Sequence, residues 1–199
     1  WNFGSEASII MHADNWAIKA KQDGYRTRAV YKLDEIVQKT KVLKKAKHIL
    51  DLGSAPGGWA HYIKQKSKIS DVYAIDILDM EPVEGVHFFK KSIEEIDDIE
   101  LIKSFMGKFD LVISDIAPNL TGISAVDTEN IYELNDLTIS TASRYLNQKS
   151  GSMIMKTFQN NKLKGLRKKM ELSFKIVQTF KPAASKKQSG EIFLYGANR

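Results

Sequence analysis

Residues 51–59, DLGSAPGGW, place three glycines and a proline directly after the apolar residues Ile49 and Leu50. Glycine has no Cβ atom, so a glycine-rich turn lets another molecule lie directly against the main chain. A turn of this kind between a buried strand and a helix is typical of nucleotide-binding loops in parallel sheets. A plain strand-to-helix turn would use similar residues, so the loop alone leaves both interpretations open.

The loop departs from the dinucleotide-binding pattern G-x-G-x-x-G in two ways. Pro56 stands where a phosphate-binding turn needs a free N–H, and the carboxylate of Asp51 would repel a pyrophosphate. A cationic nucleoside such as S-adenosylmethionine fits better, because Asp51 could hold its amino group while Gly53 and Gly57 admit its methionine portion. Asp76, one strand–helix–strand step further on, could accept the two ribose hydroxyls.

Short apolar, β-branched runs alternate with stretches of helical period along the chain. The predicted strands are 48–53, 72–77, 86–89, 109–116, 152–158, 174–180 and 191–196, and the predicted helices are 59–65, 93–106, 128–146 and 162–172. This alternation predicts an α/β fold with a mostly parallel sheet covered on both faces. The last two strands are joined by a loop too short for a crossover helix, so we expect them to pair antiparallel. No repeat or linker interrupts the pattern, which predicts a single domain over residues 1–199.

The composition limits the classes of function. The 199 residues include 30 Lys and Arg against 24 Asp and Glu, a net charge of +6, and no cysteine. Disulfides and thiolate metal sites are therefore excluded, and the four histidines are too scattered to indicate a metal site. No apolar run approaches the ~20 residues that cross a bilayer. We expect a cytoplasmic protein without membrane contact, or an organellar one if a leader has been removed, and a polyanionic partner.

The basic residues are concentrated in three segments, at 19–32, 162–169 and 181–188. The first of these is predicted to form a basic helix. Each segment could simply form the solvent-exposed face of a helix, because most runs of charged residues do so. Only convergence of the segments on one site would make a groove for nucleic-acid phosphates.

Four charged residues interrupt otherwise apolar segments: Lys32 in RTRAVYKLDEI, Asp115 in ISDIAPN, Lys156 in SMIMKTFQ and Glu191 in SGEIFLYG. A lysine inside such a strand loses hydration on folding, which favours the neutral amine that can act as a base. A lone lysine could equally bury its stem and keep its ammonium in water at the end of the strand. All four positions are predicted at or near the carboxyl edge of the sheet, which favours a common site.

Six ordered blocks then carry a family resemblance over nearly the whole chain. They are DGYRTRAVYKLDEI, DLGSAPGGWAHYI, AIDILDMEPVEGV, LVISDIAPNLTGISAVD, MIMKTFQ and KPAASKKQSGEIFL. Together they resemble the FtsJ/RrmJ-type ribosomal RNA 2′-O-ribose methyltransferases. The resemblance implies a Rossmann-like fold with a seven-stranded sheet and an antiparallel last strand. It also implies that Lys32, Asp115, Lys156 and Glu191 form the catalytic tetrad, with Lys156 as the general base.

The resemblance further implies contacts to S-adenosylmethionine and to RNA. The expected cofactor contacts are Asp51, Gly53, Ala55, Pro56, Gly57, Gly58, Trp59, Asp76, Ser92 and Asp115, where Ser92 stands in place of the Asp that the family usually has near the adenine. The expected RNA contacts are Lys19, Arg26, Arg28, Lys32, Lys181, Lys186 and Lys187.

The substrate implied is a uridine in large-subunit ribosomal RNA, free or in an assembled subunit, methylated by a monomeric enzyme without a metal. Two alternatives stay open at this point: methylation of tRNA by the same chemistry, and a ribosome-assembly factor in which catalysis is incidental. Residues 1–10 match the family only loosely and are expected to be flexible.

Overall fold

The computed structural model of the chain describes residues 15–186 and 188–199. The strands are β1 (His48–Leu52), β2 (Asp71–Asp76), β3 (Val86–Lys90), β4 (Leu111–Ser114), β5 (Ser152–Phe158), β6 (Ile176–Phe180) and β7 (Glu191–Ala197). The helices are α1 (residues 15–22), α2 (Val30–Thr40), α3 (Gly58–Lys66), α4 (Glu100–Lys103), α5 (Ser124–Tyr145) and α6 (Leu163–Glu171), with 3₁₀ helices at Val42–Lys44 and Ile93–Asp98.

The seven strands form one sheet in the order β3-β2-β1-β4-β5-β7-β6. The five strands from β1 to β5 pair parallel, whereas β7 runs antiparallel to both of its neighbours, β5 and β6. The predicted parallel sheet with an antiparallel last strand is therefore confirmed. The strand order reverses between β1 and β4, so their carboxyl ends flank a crevice of the kind in which ligands bind in open α/β sheets.

Alternation along the buried strands divides the core into two layers. On β1, Ile49 points to the face covered by α2 and α3, whereas Leu50 points to the face covered by α4, α5 and α6. Both side chains are fully buried. Because both faces are covered, the strands read as continuous apolar runs rather than as alternating apolar and polar residues.

Two helix predictions were wrong. The basic segment 19–32 is not one helix: α1 ends at residue 22, Gly24 takes a left-handed φ of +78°, and α2 begins only at Val30. A left-handed residue cannot continue a right-handed helix, and glycine adopts that conformation at little cost.

The predicted helix over 93–106 is instead a 3₁₀ helix followed by the short α4. Its buried residues are Ile93, Ile96, Ile99 and Ile102, spaced by three. A period of three matches the three residues per turn of a 3₁₀ helix better than the 3.6 of an α-helix.

Within the described ranges, no helix is both long and apolar enough to cross a membrane.

Candidate active site

Strand alternation brings charged residues of β5 and β7 to the face that α2 covers. Ile154 and Phe193 point into the core beneath α2 and α3. Lys156 and Glu191 each lie two residues from one of these positions, so their side chains share the same face. Lys32 reaches the same place from the first turn of α2. Three residues that are far apart in sequence thus meet where β5 ends and β7 begins.

Two ion pairs join the four residues of the predicted tetrad. The Nζ atom of Lys32 lies 2.6 Å from Oε1 of Glu191, and Nζ of Lys156 lies 3.4 Å from Oδ1 of Asp115. The first is a close charge-assisted hydrogen bond, and the second is an ion pair too long to be a strong hydrogen bond. All four side chains are largely buried, between 12% and 23% exposed, so their charges interact through a poorly screening medium.

The electrostatics of Asp115 connect the two pairs. Burial raises the pKa of the Asp115 carboxyl above its usual value, and the nearby positive charges of Lys156 and Lys32 oppose that rise, while the negative charge of Glu191 adds to it. Nearby positive charges favour the ionised carboxylate and nearby negative charges disfavour it. Asp115 therefore interacts electrostatically with both members of the Lys32–Glu191 pair as well as with Lys156.

The segment between β6 and β7 is fastened to α2 beside this cluster. Glu35 accepts a hydrogen bond from the backbone N–H of Ala183 (3.1 Å), and Arg28 donates one to the carbonyl of Ala184 (2.7 Å). The buried hydroxyl of Ser185 then donates to Oε1 of Glu191 over 3.3 Å. Glu191 is thus held by Ser185 and by the Lys32 pair at the same oxygen.

Asn135 and Thr157 are two buried residues that the sequence analysis missed. From α5, on the opposite face of the sheet, Asn135 donates a hydrogen bond to the backbone carbonyl of Lys156 (3.0 Å). The Thr157 hydroxyl donates to the side-chain oxygen of the same Asn135 (2.7 Å). A polar residue on the inner side of an amphipathic helix was the available signal, because buried amides require partners.

The glycine loop after β1 is tightly packed. Gly53 and Gly57 have φ angles of +76° and +101°, and the Ala55–Pro56 peptide bond is cis. A Cβ atom on Gly53 would lie 1.9 Å from Cγ1 of Ile116, the residue next to Asp115. Glycine is thus required at position 53 both by its backbone conformation and by the close approach of the loop that follows β4.

Asp76, at the end of β2, holds the glycine loop in place. Its Oδ2 accepts a hydrogen bond from the N–H of Ala55 (2.9 Å), and its Oδ1 accepts one from the N–H of Leu78 (2.8 Å). Each carboxylate oxygen has a second lone pair, so Asp76 can still accept hydrogen bonds from a ligand.

Arg26 fastens the other side of the loop. Its guanidinium donates to the carbonyls of Pro56 (2.9 Å), Glu81 (2.6 Å) and Pro82 (2.6 Å). These bonds tie the glycine loop to the connection between β2 and β3. Arg26 was predicted to contact RNA. In the structure its guanidinium makes these three hydrogen bonds within the protein.

Asp51 is a buried carboxyl group at the carboxyl end of β1. Its side chain is 1% exposed, and within the described residues its Oδ2 atom has no hydrogen-bond partner. Burial first, and then the negative charges of Asp115 and Asp76, raise the pKa of Asp51 well above the usual 3.8. A cation bound here would stabilise the ionised carboxylate of Asp51, whereas a pyrophosphate would destabilise it further.

The side chains of two other predicted cofactor contacts, Trp59 and Ser92, make hydrogen bonds within the protein. The indole of Trp59 is buried against Phe193 and donates to the carbonyl of Ala29 (3.0 Å). Ser92 caps the 3₁₀ helix that follows β3: its hydroxyl accepts from the N–H of Glu94, and its own N–H donates to Glu95. Gly58 packs against Thr27, whose hydroxyl oxygen would lie 2.8 Å from a Cβ at that position.

The remaining predicted RNA contacts are dispersed around α1 and the segment before β7. Lys19 pairs with Asp23 (2.6 Å), Lys181 donates to the backbone carbonyls of Ser189 and Glu191, and Lys186 is exposed. Lys187 lies outside the described residues.

Across the part of the chain that the structure describes, no group of three or more His, Asp or Glu residues is arranged to hold a metal ion.

Comparison with known proteins assigns this fold to the Rossmann-like methyltransferases. A crystal structure described as a ribosomal RNA methyltransferase from Plasmodium falciparum superposes with a TM-score of 0.76 and 31% identity, over 87% of this chain and 98% of that chain. Two bacterial relatives are both named ribosomal RNA large subunit methyltransferase E. The protein from Wigglesworthia glossinidia brevipalpis is 38% identical over 94% of this chain and 92% of its own length. The protein from Hydrogenovibrio crunogenus is 40% identical over 92% and 90%.

The sequence profile of the FtsJ-like methyltransferases matches residues 25–199, which include the tetrad and the glycine loop. The chain belongs to the FtsJ-like methyltransferase family.

Proposed function

We propose that this protein transfers a methyl group from S-adenosylmethionine to a ribose 2′-hydroxyl in RNA, and that the acceptor is a uridine of large-subunit ribosomal RNA. The observation that carries the proposal is the convergence of Lys32, Asp115, Lys156 and Glu191 into one electrostatic cluster. The names of the bacterial relatives support the ribosomal acceptor.

The residues around the glycine loop fit this cofactor. Asp51 offers a buried carboxyl oxygen without a partner among the described residues, which suits the ammonium group of the methionine portion. Asp76 keeps lone pairs for the ribose hydroxyls. When bound, S-adenosylmethionine supplies an electrophilic methyl group on a positively charged sulfur.

Lys156 is the general base in this proposal. A ribose 2′-hydroxyl is a weak nucleophile, so its proton must be removed as the oxygen–methyl bond forms and the sulfur–methyl bond breaks. The amine of Lys156 accepts that proton, and Asp115, 3.4 Å away, stabilises the ammonium that results. Asn135 donates a hydrogen bond to the backbone carbonyl of Lys156 and so fixes the backbone from which the Lys156 side chain extends.

Lys32 and Glu191 position the acceptor ribose. The ammonium of Lys32 donates to a ribose oxygen, and its 2.6 Å pair with Glu191 fixes its direction. Ser185 in turn holds Glu191. Alignment of the hydroxyl with the methyl group matters because a misplacement of 1 Å can cost ~10²-fold in rate.

The basic residues near the tetrad position the RNA strand in this proposal. Lys32, Arg28, Lys181 and Lys186 lie on α2, just before it, or on the segment fastened to it. Contacts of this type bind phosphates without reading sequence, so selection of one nucleotide depends on local RNA shape.

The proposal is tested by incubating the protein with S-adenosylmethionine labelled in the methyl group and three acceptors: free large-subunit rRNA, large-subunit particles and tRNA. The methylated nucleotide is then mapped. We expect a 2′-O-methyluridine in the rRNA or the particles. Label in tRNA alone would overturn the ribosomal acceptor, and RNA binding without label in any acceptor would leave an assembly factor as the function.

A further inference from the structure

A second cleft lies away from the tetrad, between α3 and the connection from β2 to β3. Its volume is about 580 Å³, and its lining includes Arg26, His61, Lys64, Lys68, Pro82 and Glu84. No predicted cofactor contact lines this cleft, and of the predicted RNA contacts only Arg26 does. The glycine loop and this cleft therefore share a wall but are separate sites.

The lining of the cleft is predominantly positive. Arg26, Lys64 and Lys68 carry positive charges, and Glu84 is the acid among the lining residues. Lys64 donates to the carbonyl of Ser70 over 2.7 Å, which fixes its ammonium at the wall. Lys68 is exposed and, within the described ranges, has no hydrogen bond or ion pair. The cleft thus contains two cations that hydrogen bonds hold in place, Arg26 and Lys64, and one, Lys68, that has no partner among the described residues. Such an arrangement attracts an anion.

The cleft faces the same side of the sheet as the tetrad. Residues of α2 and of α3 pack into one core on that face. Arg26 connects the cleft with the glycine loop, because its guanidinium lines the cleft and also donates to the carbonyl of Pro56. A strand of RNA lying across α2 at Lys32 could therefore continue over α3.

We propose that this cleft is a second phosphate-binding site, occupied by a backbone phosphate of the RNA at a distance from the methylated ribose. The identity of the ligand as RNA rests on the proposed function. The shared chemistry is a phosphate anion, and free oligophosphate is the other source to be distinguished.

The first experiment measures the salt dependence of oligouridylate binding, with an oligonucleotide long enough to span both sites. Lys68→Gln removes the lysine of the cleft that has no partner among the described residues, and Lys45→Gln removes another exposed lysine, which follows the 3₁₀ helix before β1. Loss of one phosphate contact on single-stranded RNA should reduce the log–log salt slope by about 0.7, which is about fivefold in affinity at ~0.1 M salt. We expect this change for Lys68→Gln, and no change for Lys45→Gln.

The second experiment uses the His61 ring as a reporter of the cleft. Burial, and then the charge of Arg26, lower the pKa of His61. The ring faces Tyr25 (5.9 Å between ring centres) and Gln65 (3.1 Å from Nε2), in addition to Arg26. An anion bound in the cleft should raise the pKa of His61, which NMR titration measures in the presence of inorganic pyrophosphate or oligouridylate.

Each outcome decides the proposal. A rise in the His61 pKa with oligouridylate, diminished in Lys68→Gln, supports an RNA phosphate in the cleft. A rise with pyrophosphate alone would overturn RNA as the ligand, and no rise with either probe would overturn the site. Neither readout involves methyl transfer, so absence of methylation by the unmodified protein would count against the proposed function and not against the cleft.

Discussion

Asn135 and Lys156 are joined by a hydrogen bond from the buried side-chain amide to the backbone carbonyl, 3.0 Å long, which fixes β5 at the residue proposed as the base. The bond reaches the strand from the face opposite the tetrad, where Thr157 donates to the same amide. Asn135 and Thr157 are 3% and 2% exposed. This buried polar pair thus holds β5 from the side of the sheet opposite the proposed active site.

Replacing either member of that pair should destabilise the protein. Asn135→Leu leaves the Thr157 hydroxyl and the Lys156 carbonyl without this partner, and Thr157→Val leaves one amide oxygen without its donor. An unpaired buried group costs ~1–3 kcal/mol. The double variant should cost less than the sum of the two single ones, as urea unfolding would measure. Additive losses would show that the pair is not energetically coupled.

Lys156→Ala should reduce the methyl-transfer rate by about 10²–10⁴-fold, because a positioned base contributes that much. Lys156→Arg should be similarly impaired, since guanidinium keeps its charge and cannot accept a proton. Binding of S-adenosylmethionine, measured by calorimetry, should persist in both variants. Lys45→Ala, at an exposed position before β1, is the control. Near-full activity in Lys156→Ala would remove Lys156 from the mechanism.

The free energy of unfolding should depend on pH through the titration of Asp51. Because its pKa in the folded protein is raised above 3.8, the folded state retains a proton that the unfolded state has released. The free energy of unfolding therefore falls as pH rises from about 4 through the folded pKa. Asp51→Asn removes this dependence, so the variant without cofactor should be more stable than the parent above that pKa.

The same substitution should weaken S-adenosylmethionine binding, since the amide cannot neutralise the ammonium group. Chemical unfolding at several pH values and calorimetry at neutral pH would measure the two effects. A variant that is less stable at every pH, or that binds the cofactor as tightly as the parent, would contradict this role of Asp51.

Gly53→Ala should be more damaging than Gly107→Ala. Both glycines have left-handed φ angles, +76° and +77°, so an alanine at either position bears a backbone cost of ~1–2 kcal/mol. A Cβ at position 107 meets no heavy atom within 4 Å, whereas one at position 53 collides with Ile116. Displacing Ile116 moves the adjacent Asp115, so we expect Gly53→Ala to lose both stability and activity. Thermal unfolding and initial rates would test this, and equal effects of the two substitutions would contradict it.

Most of the fold could be predicted from the sequence because its signal is local. Apolar runs such as 48–53 and 72–77 are continuous because both faces of the sheet are covered, and each run corresponds to a strand of the structure. The antiparallel last strand followed from the short connection before Glu191. The two wrong helices arose from backbone detail, namely the left-handed Gly24 and the spacing of three between buried isoleucines.

The sequence by itself determined which residue types were available to the site: the glycines of the loop, the carboxylates at Asp51, Asp76 and Asp115, and the charges inside apolar segments. Only the tertiary structure decided which charges pair, how Asn135 supports Lys156, and that Arg26 fastens the loop. The physical reason is that these contacts join residues distant in the chain. Hydrogen bonds and ion pairs depend on distances of a few ångströms, and those distances are set by how helices pack on the sheet rather than by local sequence pattern.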